Sequence, residues 1–367
     1  MYAHRSKLAF QAAVAVTIAT CTLGARADDI RVPGDQPTIQ EAIDIAQGDD
    51  MVIVAPGRYN EAIDLKGKSI TLRSEKGPSV TVLDGWNKQD SVIKCISGEG
   101  PSTRIEGFTV TGGTGYGGLY SEEETVGGGM ACVNSSPTVS NCIFVANRAG
   151  YHGGGLFIGD RSHALILNCT IRDNEAERGG GIFNMRGEPI IRESRLMDNN
   201  ARYGGGGVYN YATNARIEDC MFRQNRARFN GGAIYDYDSR GSLVRCTFND
   251  NIAMYNGNAI YRGFRSGTAV GGECKFITIH DDIAGTGGYM IARGRPMGAC
   301  CIGAGCLIVD EEACVKAGGA WLGSRSTCDD QALVACPAPV EGDINADGIV
   351  DMMDLVLLMT TMKDTGN

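Results

Sequence analysis

The densest run of metal-binding oxygens in the chain is Asp343-Ile344-Asn345-Ala346-Asp347-Gly348-Ile349-Val350-Asp351-Met352-Met353-Asp354. Counted from Asp343, side-chain oxygens fall at loop positions 1, 3, 5, 9 and 12, with glycine at position 6. A calcium ion asks for this arrangement: hard oxygen donors on a loop that turns sharply at its glycine. Asp343, Asn345, Asp347, Asp351 and Asp354 are the expected side-chain ligands, and Ile349 would add its backbone carbonyl. Leu355, Val356, Leu358 and Met359 then begin the apolar face of a helix.

Sulfur is the second concentration. Of 14 cysteines, Cys300, Cys301, Cys306, Cys314, Cys328 and Cys336 crowd into one stretch and suit a small, loop-rich unit stapled by disulfides, with connectivity left open. Zinc is the competing reading, but there is no nearby histidine or paired C-x-x-C. An exported location also favours disulfides. That location is read from residues 1–27, a secretory signal. Arg5 and Lys7 precede an apolar stretch from Leu8 to Gly24, and Ala25-Arg26-Ala27 offers a cleavage site. No later segment is long and apolar enough to span a bilayer. The protein is therefore expected to be secreted or held at the cell surface, with no membrane span after cleavage. Its formal charge of −9 argues against nucleic acid as a partner.

The elements that carry these groups are set by a repeat. Met130, Leu156, Ile182, Val208, Ile234 and Ile260 are each 26 residues apart. Gly127-Gly128-Gly129 and its equivalents precede them, changing to Gly231-Gly232-Ala233 and Gly257-Asn258-Ala259 at the end. Asn147, Asn174, Asn199, Asn225 and Asn251 form a second series, and Phe144, Ile171, Leu196, Phe222 and Phe248 a third. Short β-branched or aromatic runs, glycine turns and no helical period mean one solenoid coil per repeat. The fold class is all-β: a right-handed parallel β-helix over 28–295, of about ten coils, near 50 Å long at the usual strand spacing. Stacked asparagines would bond amide to amide. Thr38 and Glu41 form a capping box, and Ile39, Ala42, Ile43 and Ala46 an apolar stripe, so a short helix is expected to cap the core. Strands are expected at 52–54, 70–73, 80–83, 92–96 and 105–111. A cysteine-rich module and linker (296–340) and one calcium repeat (341–367) complete the expected organisation.

Three ladders could carry function. Cys142, Cys169, Cys220 and Cys246, with Ser194 in the gap, are expected as buried reduced thiols. Phe157, Phe183, Tyr209, Tyr235 and Tyr261 each follow an inward aliphatic residue and should project outward, as a candidate strip for sugar rings. Tyr151, Tyr203, Phe229 and Tyr255 form a second such set near the next turn. Asp173, Asp198 and Asp250 read first as turn residues. The non-periodic cluster His280, Asp281, Asp282 and Arg293 is the weak catalytic candidate.

Residues 30–85, with VPGDQPTIQEAIDIAQGDDMVIVAPGRYNEAI, resemble the start of pectate-lyase-like right-handed parallel β-helix proteins. The GGGM…FVAN repeats are similar to those of polymorphic outer-membrane proteins. GDINADGIVDMMDLVLLM resembles a type I dockerin repeat, which implies calcium-stabilised docking to a cohesin-like partner. The β-helix resemblance is specific for fold and open on activity. The leading expectation is extracellular polysaccharide or cell-surface interaction. The alternatives are a polysaccharide lyase or glycoside hydrolase, and an adhesin-like structural spacer.

Overall fold

The computed structural model describes residues 27–120, 124–271, 273–277 and 283–285, together with the backbone of strands Met297–Ile302, Gly305–Asp310 and Ala320–Ser324. The chain winds as a right-handed parallel β-solenoid. One coil shows the plan. Ile190–Arg192 lies on a first face, Arg195–Met197 on a second, and Asn200–Gly204 on a short connecting face. Val208–Tyr211 lies on a third. Each strand pairs in parallel with the coils before and after: Ile191 with Ile166 and Ile217, Leu196 with Ile171 and Phe222, Val208 with Ile182 and Ile234. Among the described residues the first face has ten strands, the second and third nine each.

Aliphatic and phenylalanine positions fill the interior. Ile166, Ile191, Ile217, Phe144, Ile171, Phe222, Leu156, Ile182 and Val208 are fully buried in one continuous core. The asparagine series runs beside them as a hydrogen-bonded ladder. Asn147 donates Nδ2 to Asn174 Oδ1 at 3.1 Å, Asn174 to Asn199 at 3.0 Å, Asn199 to Asn225 at 3.0 Å, and Asn225 to Asn251 at 3.0 Å. The same amides also donate to backbone carbonyls such as Phe144 O and Ile171 O.

The corners explain several polar positions. Asp173, Asp198 and Asp250 have φ of 55°, 54° and 55°, so they are turn residues in the left-handed region that short polar side chains tolerate. In each glycine triplet the first residue has positive φ, as Gly205 at 65° does. The second has no room for a side chain: a Cβ on Gly206 would sit 2.4 Å from Gly232 O and 2.5 Å from Arg226 O.

Helix Ile39–Ile45 buries Ile39, Ala42 and Ile43 against strands Asp29–Val32, Met51–Val54 and Ile63–Asp64. Thr38 caps it, accepting from Glu41 N. The expected strand over 105–111 is two strands, Arg104–Glu106 and Thr109–Thr111, on different faces. Gly107, with φ of 77°, turns the corner between them. A non-periodic antiparallel pair, Tyr116–Gly117 with Thr125–Val126, interrupts the coils.

Cys142, Cys169, Cys220 and Cys246 are free and at most 2 % exposed, and Cys274 extends their ladder. Ser194 Oγ fills the gap, accepting from Cys169 N at 3.1 Å and donating to Arg192 O at 2.8 Å. Beyond the solenoid, Met297–Ile302 pairs antiparallel with Gly305–Asp310 and Ala320–Ser324, which sets Cys301 opposite Cys306. Among the described residues, no helix is long and apolar enough to cross a membrane.

Candidate binding face

Outward side chains of the third face form the most distinctive surface. Phe157, Phe183, Tyr209, Tyr235 and Tyr261 occupy equivalent positions in adjacent strands. Their rings stack along the solenoid axis, with centroids 5.8, 5.1, 4.5 and 5.0 Å apart. Outward projection does not make them a ligand platform. The first four are 0, 2, 4 and 6 % exposed, and only Tyr261 is half-buried. They form a second apolar cluster with Val126, Val133 and Met185, against which Leu119 packs. The expectation of an open strip is therefore corrected on two grounds. Neighbouring rings consume each other's faces, and side chains from flanking positions cover the edges. Burial pushes the Tyr209 phenol above its ordinary range and, with Tyr203 close by, the Tyr235 phenol up to about 12.

The second aromatic set is the more open one, with Tyr203 and Tyr255 exposed and Tyr151 and Phe229 half-buried. Tyr203 and Phe229 have ring centroids 5.3 Å apart, and Phe229 and Tyr255 5.3 Å at an interplanar angle of 7°. Tyr203 is 37 % and Tyr255 60 % exposed. Tyr151 begins the series two coils before Tyr203. The coil between them has one residue fewer between its asparagine and its glycine triplet, and its register shifts between Ala176 and Arg178. Arg178 takes the place of the missing ring. Its guanidinium lies 5.3 Å from the Tyr151 centroid and 5.1 Å from that of Tyr203, a cation held between two π faces. Arg202, Arg226 and Arg228 stand exposed alongside. The result is a five-coil row of ring edges, phenolic hydroxyls and guanidinium groups.

His152 anchors this row from beneath. Its ring stacks on Phe183 at 4.0 Å and meets Tyr151 edge-on at 4.8 Å. Burial, reinforced by Arg178, pulls its pKa down to about 3, so it is neutral at physiological pH. A third row, Tyr211, Tyr237 and Phe264, flanks the buried rings on the other side, with Tyr211 and Tyr237 centroids 5.4 Å apart.

Several carboxylates elsewhere on the solenoid are engaged in ion pairs. Arg245 grips Asp219 through two contacts of 2.6 and 2.7 Å, which holds the Asp219 carboxyl below its usual range. Glu218 accepts from Arg192 and Arg216 at 2.9 and 2.8 Å. Among the described residues no group of three or more His, Cys, Asp or Glu is placed to hold a metal ion. The catalytic candidates His280, Asp281, Asp282 and Arg293 lie outside the described residues, as does the signal region 1–26. So do the calcium-loop positions Asp343, Asn345, Asp347, Ile349, Asp351 and Asp354. The same holds for the side chains of Cys300, Cys301 and Cys306 and for Cys314, Cys328 and Cys336.

A family model described as the right handed beta helix region matches residues 95–276. Among solved structures, the chain is similar to pectin methylesterase from carrot, at 14 % identity and a TM-score of 0.45 over 70 % of this chain and 89 % of that one. It is also similar to the pectin methylesterase PemA from Erwinia chrysanthemi, at 11 % identity and a TM-score of 0.41 over 69 % of this chain and 92 % of that one. No curated protein matches by sequence.

Proposed function

We propose that the protein binds a linear extracellular polysaccharide, or a cell-surface component of like chemistry, along the row Tyr151–Arg178–Tyr203–Phe229–Tyr255. The observation that carries this reading is the periodicity of a row whose members are exposed (Tyr203, Tyr255) or half-buried (Tyr151, Arg178, Phe229). Each coil presents a ring edge or a guanidinium, and successive rings are 5.3 Å apart. A polymer lying along the axis would meet equivalent partners repeatedly, so weak contacts add. Guanidinium groups donate in fixed planar geometry to hydroxyl or carboxylate oxygens, while ring edges and partly open faces pack against apolar C–H patches. Calcium would be held by the carboxylate and amide oxygens of Asp343, Asn345, Asp347, Asp351 and Asp354 with the Ile349 carbonyl. That C-terminal repeat would dock a cohesin-like partner, on a chain exported through its signal and stapled by disulfides at 300–336.

The test is to incubate the protein with acidic and neutral polysaccharides, with calcium and with a chelator, measuring bound protein and newly released chain ends together. Binding without new ends is the expected result. Cleavage would instead support a lyase or hydrolase and direct mutagenesis to 280–295. Absence of both would leave a structural spacer.

A further inference from the structure

Among the described residues, the last two strands of the second face are each preceded by a cysteine. Phe222, Phe248 and Phe276 are in register on successive strands, so Cys220, Cys246 and Cys274, each two residues earlier, stack coil on coil. Cys246 and Cys274 interact side chain to side chain. Neighbouring strands of a sheet lie about 4.8 Å apart, inside the roughly 4.4–6.8 Å Cα separation that a disulfide spans. Cys274 is the more reachable of the two, 6 % exposed against 0 % for Cys246. The interaction with Cys246 draws its thiol down, while that interaction and burial push Cys246 up. Cys220, by contrast, is held at about 12 by burial.

We propose that Cys246 and Cys274 form an inter-coil thiol–disulfide exchange site, oxidised by a small dialkyl disulfide such as glutathione disulfide. The Cys274 thiolate attacks one glutathione sulfur, and the departing glutathione thiolate takes the proton that Cys274 gave up. The Cys246 thiol then attacks the Cys274 sulfur of the mixed disulfide, and its proton leaves with the second glutathione. Two cysteine thiols are oxidised and one disulfide is reduced to two thiols, so the step balances. The bond would tie strand Lys275–Phe276 to strand Thr247–Asn249, beside the described pairings Thr247 with Lys275 and Phe248 with Phe276.

The folded full-length chain is equilibrated with glutathione disulfide, quenched in acid, blocked with a maleimide under denaturing conditions and peptide-mapped. The expected product is a dithiothreitol-reversible peptide joining Cys246 to Cys274. C246S should stop at a lasting glutathione adduct on Cys274, and C274A should leave Cys246 unmodified. Maleimide on both cysteines of the wild-type chain would overturn the proposal, as would a Cys220–Cys246 link or glutathione on Cys246 in C274A. A thermal scan of each variant confirms that the mapped species are folded.

Discussion

Asn199 ties its own coil to the two beside it with one side chain. Its Nδ2 donates to Ile171 O at 2.9 Å and to Asn225 Oδ1 at 3.0 Å, while its Oδ1 accepts from Asn174 N at 3.2 Å and Asn174 Nδ2 at 3.0 Å. The residue is fully buried. Asn199→Ala therefore strands several buried partners at once, and leaving even one unpaired costs about 1–3 kcal/mol. We expect a loss of roughly 3 kcal/mol or more, read as a lower urea midpoint. An unchanged midpoint would show that the ladder is not stabilising.

His152 predicts an acid sensitivity. Its folded pKa of about 3 lies below the ordinary 6.5, so the folded state resists a proton that the unfolded chain accepts. The neutral ring's contribution is whole above pH 6.5 and is lost as pH falls towards about 3. The loss is on the order of 4 kcal/mol by the low end of that window. His152→Phe keeps the stack on Phe183 but cannot titrate. Subtracting its stability-versus-pH curve from that of the wild-type chain should give a difference confined to this window. Parallel curves would refute the assignment.

Asp236 makes the opposite prediction. It continues the buried pairs Asn184 with Asn210 at 2.8 Å and Asn210 with Asp236 at 2.7 Å, and burial raises its pKa. Stability from the neutral acid is whole below the unfolded pKa and is lost as pH rises through the folded one. Asp236→Asn should raise the urea midpoint at high pH and change it least in acid. A destabilised variant at pH 8 would mean that the charged form is the one the fold requires.

Much of the architecture is legible because each coil must repeat the physics of its neighbours. The spacing of Met130 to Ile260 gives the solenoid, and the asparagine series gives the ladder. The glycine triplets mark where a Cβ would meet the next coil's backbone. What escapes is whatever neighbours decide. Alternation correctly sends Tyr209 and Tyr235 outward, yet says nothing of the ring stacking and flanking side chains that bury them. The 105–111 strand looks continuous until the φ of Gly107 is known. Arg178 was readable in principle, since the Asn147–Asn174–Asn199 spacings of 27 and 25 mark one shifted coil. Only the structure shows an arginine filling the gap between two tyrosine faces.

The most direct measurement compares polysaccharide binding by the wild-type chain with that of a variant carrying Arg178→Ala, Arg228→Ala and Phe229→Ala, both checked for equal thermal stability. If the exposed row is the binding face, the wild-type chain is retained without releasing new chain ends, and the variant loses affinity by about tenfold or more, or at least ~1.4 kcal/mol. Equal retention of the two proteins, or cleavage that survives the substitutions, would contradict the account.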